Sequence, residues 1–298
     1  MRERSRRSRG AAVAAAAALL CGAGLAGCDA GDGPPGSGSS PAASPSPSGW
    51  DRAPKSVAAV GDSITRALNA CQVLSDCPEA SWATGGDTTV DSLAVRLLGK
   101  AEAAGNSWND AVSGARMADL DAQMKKAVAH RPELVTVLAG ANDACRATTS
   151  AMTPVADFRA QFVKALGTLR EALPRAQVYV ASVPDLKRLW SAGRDDPAVK
   201  KIWSLGICPS MLGDADALDA ASDERRDRVR ARVVAYNEVL EEVCAEDRLC
   251  RYDGGAVFEH RFGTAQLSSW DYFHPSKDGQ ARLAEIAYRT VTAKRPVA

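Results

Sequence analysis

Four short clusters carry residue types suited to acyl transfer: Gly61-Asp62-Ser63, Ser113-Gly114-Ala115, Gly140-Ala141-Asn142-Asp143 and Asp271-Tyr272-Phe273-His274. A serine on a tight turn after a strand presents its hydroxyl as a nucleophile. Its N–H at the start of a following helix can help to stabilise an anion. Gly114 lacks a side chain, so its N–H can approach a substrate oxygen closely. Asn142 can donate a side-chain N–H to the same oxygen. Asp271 and His274, three residues apart, can set a carboxylate against imidazole Nδ1 and leave Nε2 to face the serine as general base. Taken singly, each cluster has a plainer reading. Gly-Asp-Ser is a common turn, Ser-Gly is an ordinary loop, Asn142-Asp143 is a possible helix N-cap, and Asp271 can cap a turn. The other two histidines offer less: His130 precedes Arg131-Pro132 at a helix end, and His260 sits between Glu259 and Arg261.

These clusters need a scaffold, and the hydropathy pattern supplies one. Ser56–Val60, Trp108–Val112, Leu134–Ala139 and Gln177–Val183 read as strands, and the run Leu134–Ala139 has the continuous apolar character of a strand buried on both faces. Helical spacing of apolar residues marks the stretches around Val90–Leu98, Met117–Ala129, Phe158–Leu169, Glu224–Ala245 and Gly279–Ala293. Strands separated by helices imply an α/β fold, a central parallel sheet with helices on both faces. In such sheets the ligand crevice lies at the carboxyl ends of the strands, where the first three clusters fall; the fourth sits in a terminal loop. No internal repeat or second linker appears, so residues 51–298 are expected to form one domain. Asp185–Asp223 is a long insertion rich in Leu, Ile and Trp. It reads either as a wall or lid of the acyl pocket or as a helical excursion packed on the core.

In order along the chain, the four clusters resemble the four blocks of the SGNH (GDSL) hydrolases: Ser63 in GDS, Gly114 in SGA, Asn142 in GAND, Asp271 with His274 in DYFH. The resemblance implies a three-layer α/β/α, flavodoxin-like fold and an esterase or lipase without cofactor or metal. It further implies Ser63 as nucleophile, His274 as base and Asp271 as its orienting partner. The oxyanion hole would comprise the Ser63 N–H, the Gly114 N–H and the Asn142 side chain. Ser81-Trp82-Ala83-Thr84-Gly85-Gly86-Asp87, with Ala111–Ala115, is similar to the phospholipase B-like subgroup. Lipase, carbohydrate or acetyl esterase, and a non-catalytic binding lipoprotein all remain readings of such a chain; the complete residue set favours an ester hydrolase, acting on a lipid or small acyl ester.

Outside this body, residues 1–27 read as a targeting segment. Five arginines within the first nine residues precede an Ala/Gly/Val/Leu stretch ending Leu25-Ala26-Gly27-Cys28. That ending resembles the bacterial lipobox, which implies an acylated Cys28 and an exported, surface-anchored protein that contacts the membrane through its lipid alone. The Pro/Gly/Ser-rich residues 28–50 then form a tether. Gly31-Asp32-Gly33-Pro34-Pro35-Gly36 matches a dinucleotide fingerprint only formally, because no strand precedes it and prolines occupy the helix start. Beyond residue 9 the chain carries a net charge of −3, which gives no electrostatic footprint for nucleic acid. The chain is expected to act as a monomer. Six cysteines remain after Cys21 and Cys28 are set aside, an even number that suits disulfides in an exported domain. The short spacings suggest Cys71–Cys77 and Cys244–Cys250, leaving Cys145–Cys208, among fifteen possible connectivities.

Overall fold

The computed structural model describes residues 49–296. The expected targeting segment, Cys28 and most of the tether lie outside the described residues. Five parallel strands form one sheet: β1 (Val57–Gly61), β2 (Ser107–Asn109), β3 (Leu134–Leu138), β4 (Gln177–Val180) and β5 (Cys250–Tyr252). Their spatial order is β2-β1-β3-β4-β5, all pairs parallel. This is the doubly wound, flavodoxin-like order, and its topological switch point falls between β1 and β3.

Side chains alternate between the two faces. Ala58, Val60, Val135, Val137, Val178 and Val180 pack against the helices Leu120–Ala129, Val155–Ala172 and Ala220–Ala245. Val57, Ala59, Leu134, Leu138 and Tyr179 pack against Leu93–Leu98, Lys100–Asn106 and Lys277–Thr292. Both faces are therefore largely apolar and covered, which accounts for the buried, mostly hydrophobic runs of β1 and β3. The result is the three-layer α/β/α arrangement.

The structure corrects the sequence reading in four places, one being that the strand read over Gln177–Val183 ends at Val180. β5 was not foreseen. Trp108–Val112 pairs as a strand only through Asn109, after which the chain turns toward Gly114. No α-helix follows Ser63: residues 64–69 form successive turns, because Ala67 and Asn69 adopt left-handed φ values of 50° and 60°. Such values end helical propagation.

The insertion folds into three short helices, Leu186–Gly193, Pro197–Trp203 and Pro209–Leu212. Trp190, Val199, Trp203, Met211 and Leu212 are buried in the main core. Arg226, fully buried on the long helix, stacks over the Trp190 ring at 4.0 Å and donates to the Asp214 and Ala217 carbonyls at 2.8 Å each. Most of the insertion is thus a packed excursion, and the stretch around residues 206–209 reaches the cleft. Among the described residues the disulfides are Cys71–Cys77, Cys145–Cys208 and Cys244–Cys250.

Candidate active site

Register places the site. Gly61 pairs with Leu138, so Asp62-Ser63 and Ala139–Asn142 leave the sheet side by side at the switch point. A Cβ at Gly61, with φ near +149°, would run into the Leu138 carbonyl oxygen, so glycine lets the two strands end this close together. Gln123 fixes the same point by accepting from the Gly61 N–H at 2.7 Å and donating to the Gly61 carbonyl at 2.9 Å. Gln280, buried on the last helix, donates to the Ile64 carbonyl at 2.9 Å. The Ser63 turn is closed locally by the Ile64 N–H, which donates to Asp62 Oδ1 at 2.9 Å.

On the other side of β1, the chain after β2 makes a turn in which the Ala115 N–H donates to the Val112 carbonyl at 3.0 Å. Gly114 occupies its third position with φ +82°, the conformation that a type II turn demands and that glycine adopts without strain. Asn109 Nδ2 donates to the Thr65 carbonyl at 2.9 Å and ties this segment to the turn that carries Ser63. Asn142 lies inside the one-turn helix Ala141–Ala144, where Gly140 takes the N-cap position. Its side chain makes no cap and donates instead to the Ala115 carbonyl at 3.0 Å.

The terminal loop is closed by a bridge between Leu267 and Pro275 and by the Ser268 N–H donating to the His274 carbonyl at 2.8 Å. Within it, Asp271 Oδ1 accepts from the N–H groups of Phe273 and His274 at 2.9 Å each. Asp271 Oδ2 lies 2.6 Å from His274 Nδ1, and His274 Nε2 lies 2.8 Å from Ser63 Oγ. Burial alone would raise the Asp271 carboxyl, but hydrogen bonds from His274 and Asn69 outweigh it and hold the group below its usual value. An ionised carboxylate only accepts, so Nδ1 carries the hydrogen and Nε2 is left to accept from the Ser63 hydroxyl. That tautomer is the one a general base requires.

Ser63, Gly114, Asn142 and His274 line one cleft of about 310 Å³, with Leu68, Ile207, Pro209, Phe273 and the Cys145–Cys208 bridge as further walls. Among the described residues, neither the Ser63 N–H nor the Gly114 N–H has a protein acceptor. The structure thus brings together all five residues singled out from the sequence. The other histidines lie elsewhere. His130 stacks on Trp108 at 4.8 Å, and His260 pairs with Gln266 at 2.9 Å. Cys71, Cys77 and Glu79 are close enough together to suggest a metal site, but the two sulfurs are bonded to each other and offer no thiolate.

A family model described as GDSL-like lipase/acylhydrolase matches residues 59–282, from β1 to the last helix. The chain belongs to the GDSL-like lipase/acylhydrolase family. Rat (Rattus norvegicus) membrane-associated phospholipase B1 is 28% identical over 195 residues, which cover 53% of this chain and 13% of that protein. The chain therefore spans a small part of that relative's length. Among solved structures, the extracellular lipase of Streptomyces rimosus superposes with a TM-score of 0.48 at 19% identity, covering 80% of this chain and 100% of that one. A family two carbohydrate esterase of Cellvibrio japonicus superposes with a TM-score of 0.46 at 13% identity, covering 80% of this chain and 61% of that one. Two features of this GDSL hydrolase escaped the sequence reading. Asn69 donates to Asp271, and Asp62 is fully buried next to Ser63.

Proposed function

We propose that this GDSL hydrolase cleaves carboxylic esters of apolar acyl groups through a Ser63–His274–Asp271 triad. The observation that carries this reading is the unbroken hydrogen-bond chain from Asp271 through His274 to Ser63, opening into a cleft with two unengaged N–H groups. As Ser63 Oγ attacks the ester carbonyl, His274 Nε2 takes its proton. The tetrahedral oxyanion accepts from the N–H groups of Ser63 and Gly114 and from Asn142 Nδ2. Collapse breaks the bond to the alcohol, which leaves with the proton from His274. Water then attacks the acyl-serine by the same route and releases the acid.

The apolar walls favour an acyl chain over a sugar. Leu68, Ile207 and Phe273 face the cleft, and exposed Val112, Leu205 and Trp270 lie within two residues of cleft or triad residues along the chain. The match to phospholipase B1 agrees with an esterified lipid as substrate. Export and acylation at Cys28 follow from the basic, apolar and Leu-Ala-Gly-Cys sequence, and three disulfides suit an oxidising compartment. Loss of the Cys28 acyl chain, in Cys28→Ser, should release the protein from the membrane fraction.

Ser63→Ala should abolish hydrolysis of p-nitrophenyl esters in a protein that still folds. A fluorophosphonate should label Ser63 alone. Labelling elsewhere, or turnover retained in the variant, would remove the triad. Rates that rise from acetate to butyrate or octanoate support the apolar reading, whereas turnover confined to acetate would make the protein an acetyl esterase.

A further inference from the structure

Asn69 holds a backbone position that few residues accept, with φ +60°, and it is 5% exposed. Its Nδ2 donates to Asp271 Oδ2, 202 residues away in the chain, at 2.5 Å. Its Oδ1 accepts from the Leu74 N–H, and its N–H donates to the Ser75 carbonyl at 3.0 Å. Its carbonyl accepts from Ser268 Oγ at 2.7 Å, in the loop that carries the triad acid. The Cys71–Cys77 bridge closes the segment that makes these contacts.

The residue must therefore tolerate the left-handed region, donate to a carboxylate and accept from a backbone N–H. Asparagine meets all three demands: its short amide both donates and accepts, and it visits that region more readily than most side chains. Glycine has no side chain to offer, and aspartate has no donor when ionised.

An ionised carboxylate has about four acceptor sites. Asp271 fills two at Oδ1 with the N–H groups of Phe273 and His274, and two at Oδ2 with His274 Nδ1 and Asn69 Nδ2. Asn69 is the one donor in this set that comes from outside the Asp271–His274 turn. We propose that Asn69 is a positioning residue of the active site, which clamps the Asp271 carboxylate in the orientation that aims His274 at Ser63 and shares with His274 the charge on Oδ2.

This inference rests on the triad reading and deepens it. Without the amide, Oδ2 has one donor fewer and pulls harder on the Nδ1 proton. The imidazolium form of His274 is then favoured, and His274 loses its competence as a base at a higher pH than before. Asp62 also feels the charge of His274, and Asp76 in the disulfide-closed segment pairs with Arg66. The variants below leave all three unchanged.

The test uses the full chain with p-nitrophenyl butyrate, on Asn69→Asp and Asn69→Gly. Aspartate keeps the acceptor for Leu74 and tolerates the backbone, but it sets a second carboxylate against Asp271. Glycine keeps the backbone and loses both side-chain contacts. Folding is checked by circular dichroism. We expect kcat to fall about tenfold to a hundredfold, the scale of a small misplacement of a catalytic group. The acid limb of the kcat/KM profile should move up by about one unit in Asn69→Asp, and by less in Asn69→Gly. A role confined to holding the loop would lower the melting temperature and leave the acid limb in place. A folded variant with an unmoved acid limb and kcat within about threefold of the parent overturns the inference. Ser63→Ala separates the two levels. If that variant is dead while the Asn69 variants behave as wild type, the triad stands without Asn69. If it still turns over, both readings fail together.

Discussion

The Asn142 side chain donates to the Ala115 carbonyl at 3.0 Å, which ties it to the turn that presents the Gly114 N–H. A primary amide has two N–H groups. One is used on Ala115, and the other remains for an oxygen beside Ser63. Such a bond strengthens only as the carbonyl oxygen gains charge, so its loss should appear in kcat and not in KM. Asn142→Ala should lower kcat about 10²–10³-fold, with more activity left than in Ser63→Ala. The lost bond to Ala115 should cost roughly 1 kcal/mol of stability. Steady-state kinetics and thermal unfolding of one variant decide the matter: a lowered melting temperature with wild-type kcat would confine Asn142 to structure.

A second expectation concerns the tautomer. Asp271→Asn keeps an oxygen for the two backbone N–H groups at the Oδ1 position but places an NH2 where Oδ2 now receives Asn69 and His274. Two donors would then face each other, and His274 is driven to accept at Nδ1 and carry its hydrogen on Nε2. It can no longer take the Ser63 proton. The expected loss in kcat is about 10⁴-fold. A loss below about tenfold would mean that the imidazole is oriented by something other than Asp271.

How much of this was legible in the sequence depends on how locally each feature is determined. β1 and β3 announce themselves because both faces are covered, so every residue is buried and, apart from Thr136, none carries a polar side chain. β5 does not. It is three residues long, its Cys250 is bonded to Cys244, and its Arg251 looks like a loop residue. Arg251 is buried nonetheless, because its guanidinium stacks on Trp50 at 4.3 Å and donates to the Thr290 and Ala293 carbonyls at 3.0 and 2.7 Å. The five site residues follow strands or share one turn, so short motifs reveal them. Asn69 depends on a left-handed φ and a contact 202 residues away, neither of which leaves a local pattern. The turns after Ser63 read as a helix for the same reason, since nothing in Ala67 signals positive φ.

The bridge between Cys145 and Cys208 should matter twice. It closes a separation of 63 residues, against 6 for Cys71–Cys77. On the chain-entropy view that corresponds to about 4 kcal/mol, against about 2 kcal/mol for the short loop. Both of its cysteines also wall the cleft. The double variant Cys145→Ala/Cys208→Ala should therefore unfold at lower urea than Cys71→Ala/Cys77→Ala and show a raised KM for longer acyl esters. Equal midpoints and an unchanged KM would mean that the packed helices of the insertion hold this wall without the bridge.

Asp62 gives the last expectation, a dependence of stability on pH. It is fully buried next to Ser63, and its Oδ2 has no hydrogen-bond partner among the described residues. Burial pushes its carboxyl from the usual 3.8 up to about 7, against the opposing pull of the Ile64 N–H and the His274 charge. Below the unfolded value both states hold the proton. Between there and about pH 7, the unfolded chain releases a proton that the folded protein keeps. The contribution of this group to stability therefore falls as pH rises through that window and levels off above it. Asp62→Asn removes the titration and retains an oxygen for the Ile64 N–H, so the turn under Ser63 should persist. Urea unfolding at several pH values should show the wild type losing stability relative to Asp62→Asn across the window. At about 1.4 kcal/mol per unit, the gap should change by no more than roughly 4 kcal/mol. Parallel curves for the two proteins would mean that Asp62 is already ionised in the fold. A buried carboxylate would then stand beside Ser63 throughout catalysis and favour the protonated form of His274.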